Sequence, residues 1–264
     1  MAGVVVGVHH AKASGAAVRW ASEAAALRGS PLTLVHAWSE PLDLTVDLDP
    51  VSLPDLVGPA TSSAVHATAA TALLACDPEL LVLGGHRGAR HRSHLTRTCL
   101  QHASCPVVVV PDTEQSPAGR VVVGTSGSEG SMVALRWAAE EAQLRHATLL
   151  VCYAWALHSS SAQDLRRPTR AIAAQQAAAC SLIHQWLRQI PRLQQIEVQL
   201  THGGPLDGLL EASTNADLLV VGRSDHTGLS RLLNGGVSND LSGLAPCPVA
   251  VIPARHAGVA CTSI

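Results

Sequence analysis

A chain of 264 residues, 47% hydrophobic and only 14% charged, has the balance of a globular protein and can bury one large or two modest cores. Its formal net charge of −2 gives no general attraction to nucleic acid or to an acidic membrane surface. Phenylalanine is absent and tyrosine occurs once, so alanine, leucine and valine must fill the interior, which favours α/β layering.

The seven cysteines are scattered and form no CxxC pair, an odd count that suits reduced thiols. The opening MAGVVVGVHH is too short an apolar run for an export signal and reads as a strand. No stretch approaches the ~18 apolar residues needed to span a bilayer. These features predict a cytoplasmic protein that binds neither nucleic acid nor membrane.

In chain order, the first strand leads to a helix over Ser14–Arg28, with Ser14 placed to cap it. Ala17, Trp20, Ala21 and Ala24 recur at helical spacing to face a sheet, so Trp20 reads as a packing residue. A strand ending at Trp38 follows, then the Pro- and Asp-rich interval PLDLTVDLDPVSLPDLVGPA, which reads as irregular. LLVLGG (Leu80–Gly85) and SCPVVVVP (Ser104–Pro111) are two further apolar runs, separated by a basic loop, GHRGARHRSH. The segment Asp112–Arg120 has the composition of a linker.

The chain then repeats itself. Val121–Trp155 aligns with Val4–Trp38 at a constant offset of 117 without a gap, pairing Gly7 with Gly124, Ser14 with Ser131, and Trp20 with Trp137. A helix over Arg170–Ile190, a strand at Ile196–Thr201 and a short helix from near Pro205 come next. LLVVGR (Leu218–Arg223) then answers LLVLGG, and PCPVAVIP (Pro246–Pro253) answers SCPVVVVP. These last two runs, joined by helix-length sequence, read as a βαβ crossover between buried parallel strands. The predicted units are residues 1–111, a linker at 112–120, residues 121–254 and a tail at 255–264. From Trp155 to Gly222 is 67 positions, but from Trp38 to Gly84 it is 46. The first copy is therefore expected to lack or shorten a helix, exposing apolar surface for the other copy or a second chain to cover.

The first strand, the RWA helix, the HAW and YAW strand ends, the glycine loop and the CPVxVxP strand resemble the universal stress protein family in its tandem form. The resemblance implies two doubly wound, Rossmann-like parallel-sheet domains of adenine-nucleotide alpha-hydrolase type. Each would have strand order 3-2-1-4-5, the first shortened in its middle, with the last strands pairing across the domain interface. It also implies a homodimer through terminal strands and an unidentified protein partner.

The ATP-binding members of that family carry an Asp closing the first strand, a G-x2-G-x9-G-(S/T) loop after the fourth, and a backbone group after the second strand. In the second copy the Asp position is Ser126, beside Thr125 and Gly127, and Ala154 ends the second strand. The loop runs Gly222-Arg223 to Gly235-Gly236-Val237-Ser238, with Asp225 and Gly236 replacing the second glycine and the hydroxyl residue. An acid next to a triphosphate opposes it by ~1 kcal/mol at 4 Å in water, and Arg223 is placed to offset Asp225. Thr125, Ser126, Gly127, Ser131, Ala154, Gly222, Arg223, Gly235, Gly236, Val237 and Ser238 therefore form the expected site. It is a weakened one, for an adenine nucleotide such as ATP with accompanying Mg2+. In the first copy His9 and His10 stand at the strand end, and Ser93-His94 replace the glycine-serine pair, so no nucleotide is expected there.

His9, His10, His36, His86, His91 and His94 gather where strand ends converge, but their irregular spacing predicts no metal site. A solvated or anion-attracting loop is the expectation. No GxxxxGK[ST] loop or GxSxG elbow occurs, and no enzymatic activity is expected. Two functions remain open: a nucleotide-binding regulatory module, or an interaction scaffold of the same fold that no longer binds nucleotide.

Overall fold

The structure is a computed structural model that describes residues 3–8, 15–38, 56–85, 93–113, 117–125, 129–155, 168–188, 195–202, 205–223, 241 and 243–254. In the first half the elements are β1 (Val4–Val8), α1 (Gly15–Arg28), β2 (Leu32–Trp38), β3 (Ala60–His66), α2 (Ala69–Ala75), β4 (Leu80–Gly85), α3 (His94–His102) and β5 (Val107–Pro111). The second half has β6 (Arg120–Thr125), α4 (Glu129–Leu144), β7 (Thr148–Trp155), α5 (Pro168–Leu187), β8 (Ile196–His202), α6 (Pro205–Ser213), β9 (Leu218–Gly222) and β10 (Val249–Ile252).

Continuous valine and leucine runs, buried on both faces, are what central parallel strands require. All ten strands join one sheet, in the order β3-β2-β1-β4-β5-β10-β9-β6-β7-β8. Each half thus has the 3-2-1-4-5 order, and the two meet at β5 and β10. That central pair is antiparallel, Val107 opposite Val251 and Val109 opposite Val249, while the pairings within each half are parallel. The pairing corrects one expectation. β5 lies between β4 and β10, and β10 between β9 and β5, so neither terminal strand has an open edge for a second chain. A homodimer through terminal strands is replaced by the same joint made within one chain, which removes two sticky edges.

Helices α1, α4 and α5 cover one face of the sheet, and α2, α3 and α6 the other. Each face has a hydrophobic layer that runs through both halves, with Val108 and Ala250 in one and Val107 and Val249 in the other. Each buried Val or Leu contributes about 1.5–3 kcal/mol, so the shared layers hold the halves as one body. Gly7 and Gly124 are equivalent positions with equivalent causes. A Cβ on either would press on a leucine of the covering helix, Leu73 at 3.1 Å or Leu209 at 2.9 Å.

Where α1 meets α4 the duplication is visible in the contacts. Arg145 lies 4.9 Å from the Trp20 ring centre and Arg28 lies 5.8 Å from that of Trp137. Each arginine is the other's equivalent at the 117 offset, and so is each tryptophan. Both indoles are buried, 8% and 5% exposed, as packing residues should be. Glu141, 1% exposed, breaks the symmetry because its equivalent is Ala24. It forms ion pairs with Arg28 and, at 3.1 Å, with Arg145. Burial, and then the nearby Arg145 charge, lower Arg28 to about 10.

The elements of the second middle, α5, β8 and α6, stand where the sequence places them. α4 differs: it starts at Glu129, so Ser131 lies in the first turn rather than at the cap. In the first copy no helix is described between β2 and β3, and residues 39–55 lie outside the described residues. Leu56 packs on the core and the Val57 amide donates to Ser22 Oγ at 2.7 Å, on the face that α5 covers in the second half. The expected apolar exposure is not found along β3. Its exposed positions are Thr61, Ser62, Ser63, Ala64 and His66, mostly polar, so the missing cover is matched by composition.

Candidate functional site

In a parallel sheet the C-terminal strand ends share one edge. Thr125 closes β6, Trp155 closes β7 one residue after Ala154, and Gly222 closes β9. β6 is flanked by β7 and β9, so the chain leaves it in one direction and returns on the other side. A crevice opens at such a switch point.

The first turn of α4 closes over this edge. A Cβ on Gly222 would lie 2.7 Å from the Gly130 carbonyl oxygen, and one on Gly130 would lie 3.6 Å from the Arg223 carbonyl oxygen. Only a residue without a side chain lets the end of β9 come this close to the helix. The approach sets the N-terminal end of α4, with its outward amides and positive dipole, beside the switch point. Thr125 and Ser131 lie within the site at 3% and 6% exposure, and both have interaction partners of their own.

The structure brings Thr125, Ser131, Ala154 and Gly222 to one edge. Ser126, Gly127, Gly235, Gly236, Val237 and Ser238, with Asp225, lie outside the described residues. Arg223 requires a correction. Its amide donates to the Ile252 carbonyl at 2.6 Å, and its Nη1 donates to the carbonyls of Leu100, Gln101 and Ala103 at 3.2, 3.1 and 2.8 Å. These acceptors belong to the C-terminal end of α3, in the other half. The guanidinium therefore caps a helix across the joint, where the dipole is negative.

In the first copy Ser93 is the N-cap of α3, its Oγ accepting from the Thr96 amide at 3.2 Å. His94 is the first residue of that helix. His36 Nδ1 lies 3.1 Å from the Val8 carbonyl oxygen, and its ring stacks near Trp38. His9, His10, His86 and His91 lie outside the described residues. No group of three or more His, Cys, Asp or Glu side chains able to hold a metal occurs among the described residues.

A duplicated α/β fold, halves joined through their last strands, and a helix N-terminus closed over the switch point define the class of protein. The model of the universal stress protein family matches residues 2–75 and 118–253. Universal stress protein Rv2623 of Mycobacterium tuberculosis is 31% identical over 94% of this chain and 95% of its own. Mb2028c, a universal stress protein of Mycobacterium bovis, is 30% identical over 94% and 96%. The chain belongs to the universal stress protein family. Among solved structures, a universal stress protein from Archaeoglobus fulgidus covers 97% of both chains at 13% identity with a TM-score of 0.61. PA1789 of Pseudomonas aeruginosa has a TM-score of 0.67 at 17% identity, over 95% of this chain and 92% of that one. Both share the fold.

Arg28, Glu141 and the true role of Arg223 were not among the residues singled out from sequence. The 117 offset relates Arg28 to Arg145 and sets Glu141 against Ala24, so that signal was present. Nothing in the sequence marks Arg223 as a contact to α3.

Proposed function

We propose that this chain is a regulatory protein whose second half binds an adenine nucleotide and whose occupancy biases contact with a protein partner. The observation that carries this reading is the closure of α4 on Gly222, which leaves backbone donors and a helix dipole at the switch-point edge. In this reading the anionic phosphates lie at the N-terminal end of α4 and the adenine lies toward the Ala154 backbone. Mg2+ would arrive with ATP, held largely by phosphate oxygens and water. Ser126 in place of an acid weakens the grip on ribose, because a hydroxyl is a poorer acceptor than a carboxylate.

Binding without turnover is the proposed role, in the cytoplasm, since the second-half loop carries no lysine to cradle a γ-phosphate. No helix among the described residues is long and apolar enough to cross a membrane. Isothermal titration with Mg-ATP tests the proposal. Saturable heat at one nucleotide per chain is expected, and no heat at millimolar nucleotide with folded protein rejects it.

A scaffold reading without nucleotide draws its support from Ser93 and Arg223, both occupied in capping α3. Under it, Gly235→Ala leaves partner binding unchanged; under the nucleotide reading, the same change alters it.

A further inference from the structure

The ten-stranded sheet has two outer strands, β3 and β8. On each, every second residue turns its backbone groups away from the sheet, and the register shows which. The Val4 amide donates to the Pro31 carbonyl at 2.9 Å, so Pro31 faces β1 and the next residue, Leu32, faces β3. Thr61 Oγ1 donates to the Leu32 carbonyl there at 3.3 Å. With Leu32 opposite Ala60 and Leu34 opposite Ser62, the ladder to β2 runs through Thr61, Ser63 and Val65. The amides and carbonyls of Ser62 and Ala64 therefore point outward. Among the described residues no strand lies beyond them.

Proteins blunt their sheet edges with charge, proline, bulges or a covering segment. β3 carries no charge, proline or bulge. Its residues, Ala60-Thr61-Ser62-Ser63-Ala64-Val65-His66, include no acid, lysine or arginine, and each pairs in turn with one residue of β2. β8 differs, because Glu197 stands within the strand and is ion-paired with Arg120 at 3.3 Å. The uncharged edge is the one in the first half.

The strand is compatible with a copy of itself. Antiparallel pairing of β3 with β3 sets no like charges opposite one another, and its serine and threonine hydroxyls can exchange cross-strand hydrogen bonds. Such a contact is isologous, so it closes after two chains instead of growing into a filament. It also repeats a joint the sheet already contains, since β5 and β10, the last strands of the two copies, pair antiparallel at its centre.

We propose that β3 pairs antiparallel with β3 of a second copy of this chain, joining two ten-stranded sheets into one. Main-chain hydrogen bonds supply the affinity, and an interface this narrow makes a reversible dimer. The switch point beside β6 and β9 lies in the other half, so the pairing does not depend on nucleotide.

Sedimentation velocity of the full chain across the micromolar range, without nucleotide, is the test. Concentration-dependent exchange between monomer and dimer is expected. Ser62→Pro removes an outward amide that the ladder to β2 does not use, a change an edge strand tolerates. Because the loss enters the dimer twice, association should weaken by about tenfold or more. Val198→Pro makes the same change on β8, where the Leu149 amide donates to the Gln195 carbonyl at 3.1 Å and the Val198 amide points outward. It should leave the dimer intact. If circular dichroism shows Ser62→Pro unfolded, Ala64→Lys decides instead, since a lysine at an exposed edge position opposes an added strand. A chain that is monomeric throughout overturns the proposal, and slow hydrogen exchange of the Ser62 and Ala64 amides in that monomer would show the chain's own residues covering the edge. A dimer that persists in folded Ser62→Pro or Ala64→Lys, or that Val198→Pro abolishes, overturns it as well.

Discussion

Replacing Gly222 by alanine is the sharpest test of how the switch-point edge is built. The new Cβ would lie 2.7 Å from the Gly130 carbonyl oxygen and 3.2 Å from its carbon, both backbone atoms. The first turn of α4 would have to retreat from β9 by several tenths of an ångström. Overpacking of this kind costs about 1–3 kcal/mol. For a chain of this size that is roughly 2–4 °C of melting temperature per kcal/mol. Gly124→Ala supplies the internal control. Its Cβ would meet Leu209 Cδ2 at 2.9 Å, the far end of a flexible side chain that can turn aside. It should cost less than ~1 kcal/mol. Calorimetric melting of both variants measures the difference, and Mg-ATP titration of Gly222→Ala should show affinity lower by about tenfold, near 1.4 kcal/mol. Equal melting of Gly222→Ala and wild type, or a larger loss in Gly124→Ala, would refute the close-approach argument.

Arg223→Met keeps much of the aliphatic stem but removes three hydrogen bonds to the end of α3, and should cost about 1–3 kcal/mol in urea unfolding. If nucleotide affinity fell while stability held, the guanidinium would belong to the nucleotide site after all. Glu141→Gln leaves Arg28 and Arg145 buried without their shared acid, and should destabilise by about 3–5 kcal/mol in the same assay. Cys99, Cys105 and Cys247 are pushed up by burial to about 11, 11 and 12. Below pH 9 these thiols are protonated in both states, whereas between pH 9 and their folded values only the unfolded chain ionises. Stability is therefore complete below pH 9 and falls as pH rises toward 11. Urea midpoints at pH 8 and 10.5 should show the drop, and Cys247→Ala should make it shallower.

The sequence made the architecture legible because a duplication states each element twice. Val4–Trp38 and Val121–Trp155 share their strand, helix and strand, and the terminal valine runs pointed to the β5–β10 joint. Composition also placed α5, with β8 after it. What it could not show was which contacts cross between the halves. A strand edge closed within one chain looks in sequence like an edge offered to another, and so the homodimer was expected there. Arg223 stands beside a glycine loop in sequence, yet its long side chain turns toward α3, a direction that spacing does not encode. Ser131 matched Ser14 in register, but the helix begins two residues earlier, at Glu129.

The central claim is that backbone donors at the end of β9 and the start of α4 still bind an adenine nucleotide in the second half alone. Native mass spectrometry of the full chain with Mg-ATP measures this directly. One nucleotide per chain, diminished in Gly222→Ala and retained in Ser93→Ala, is the result this account predicts. Chains that carry no nucleotide, or two, would contradict it.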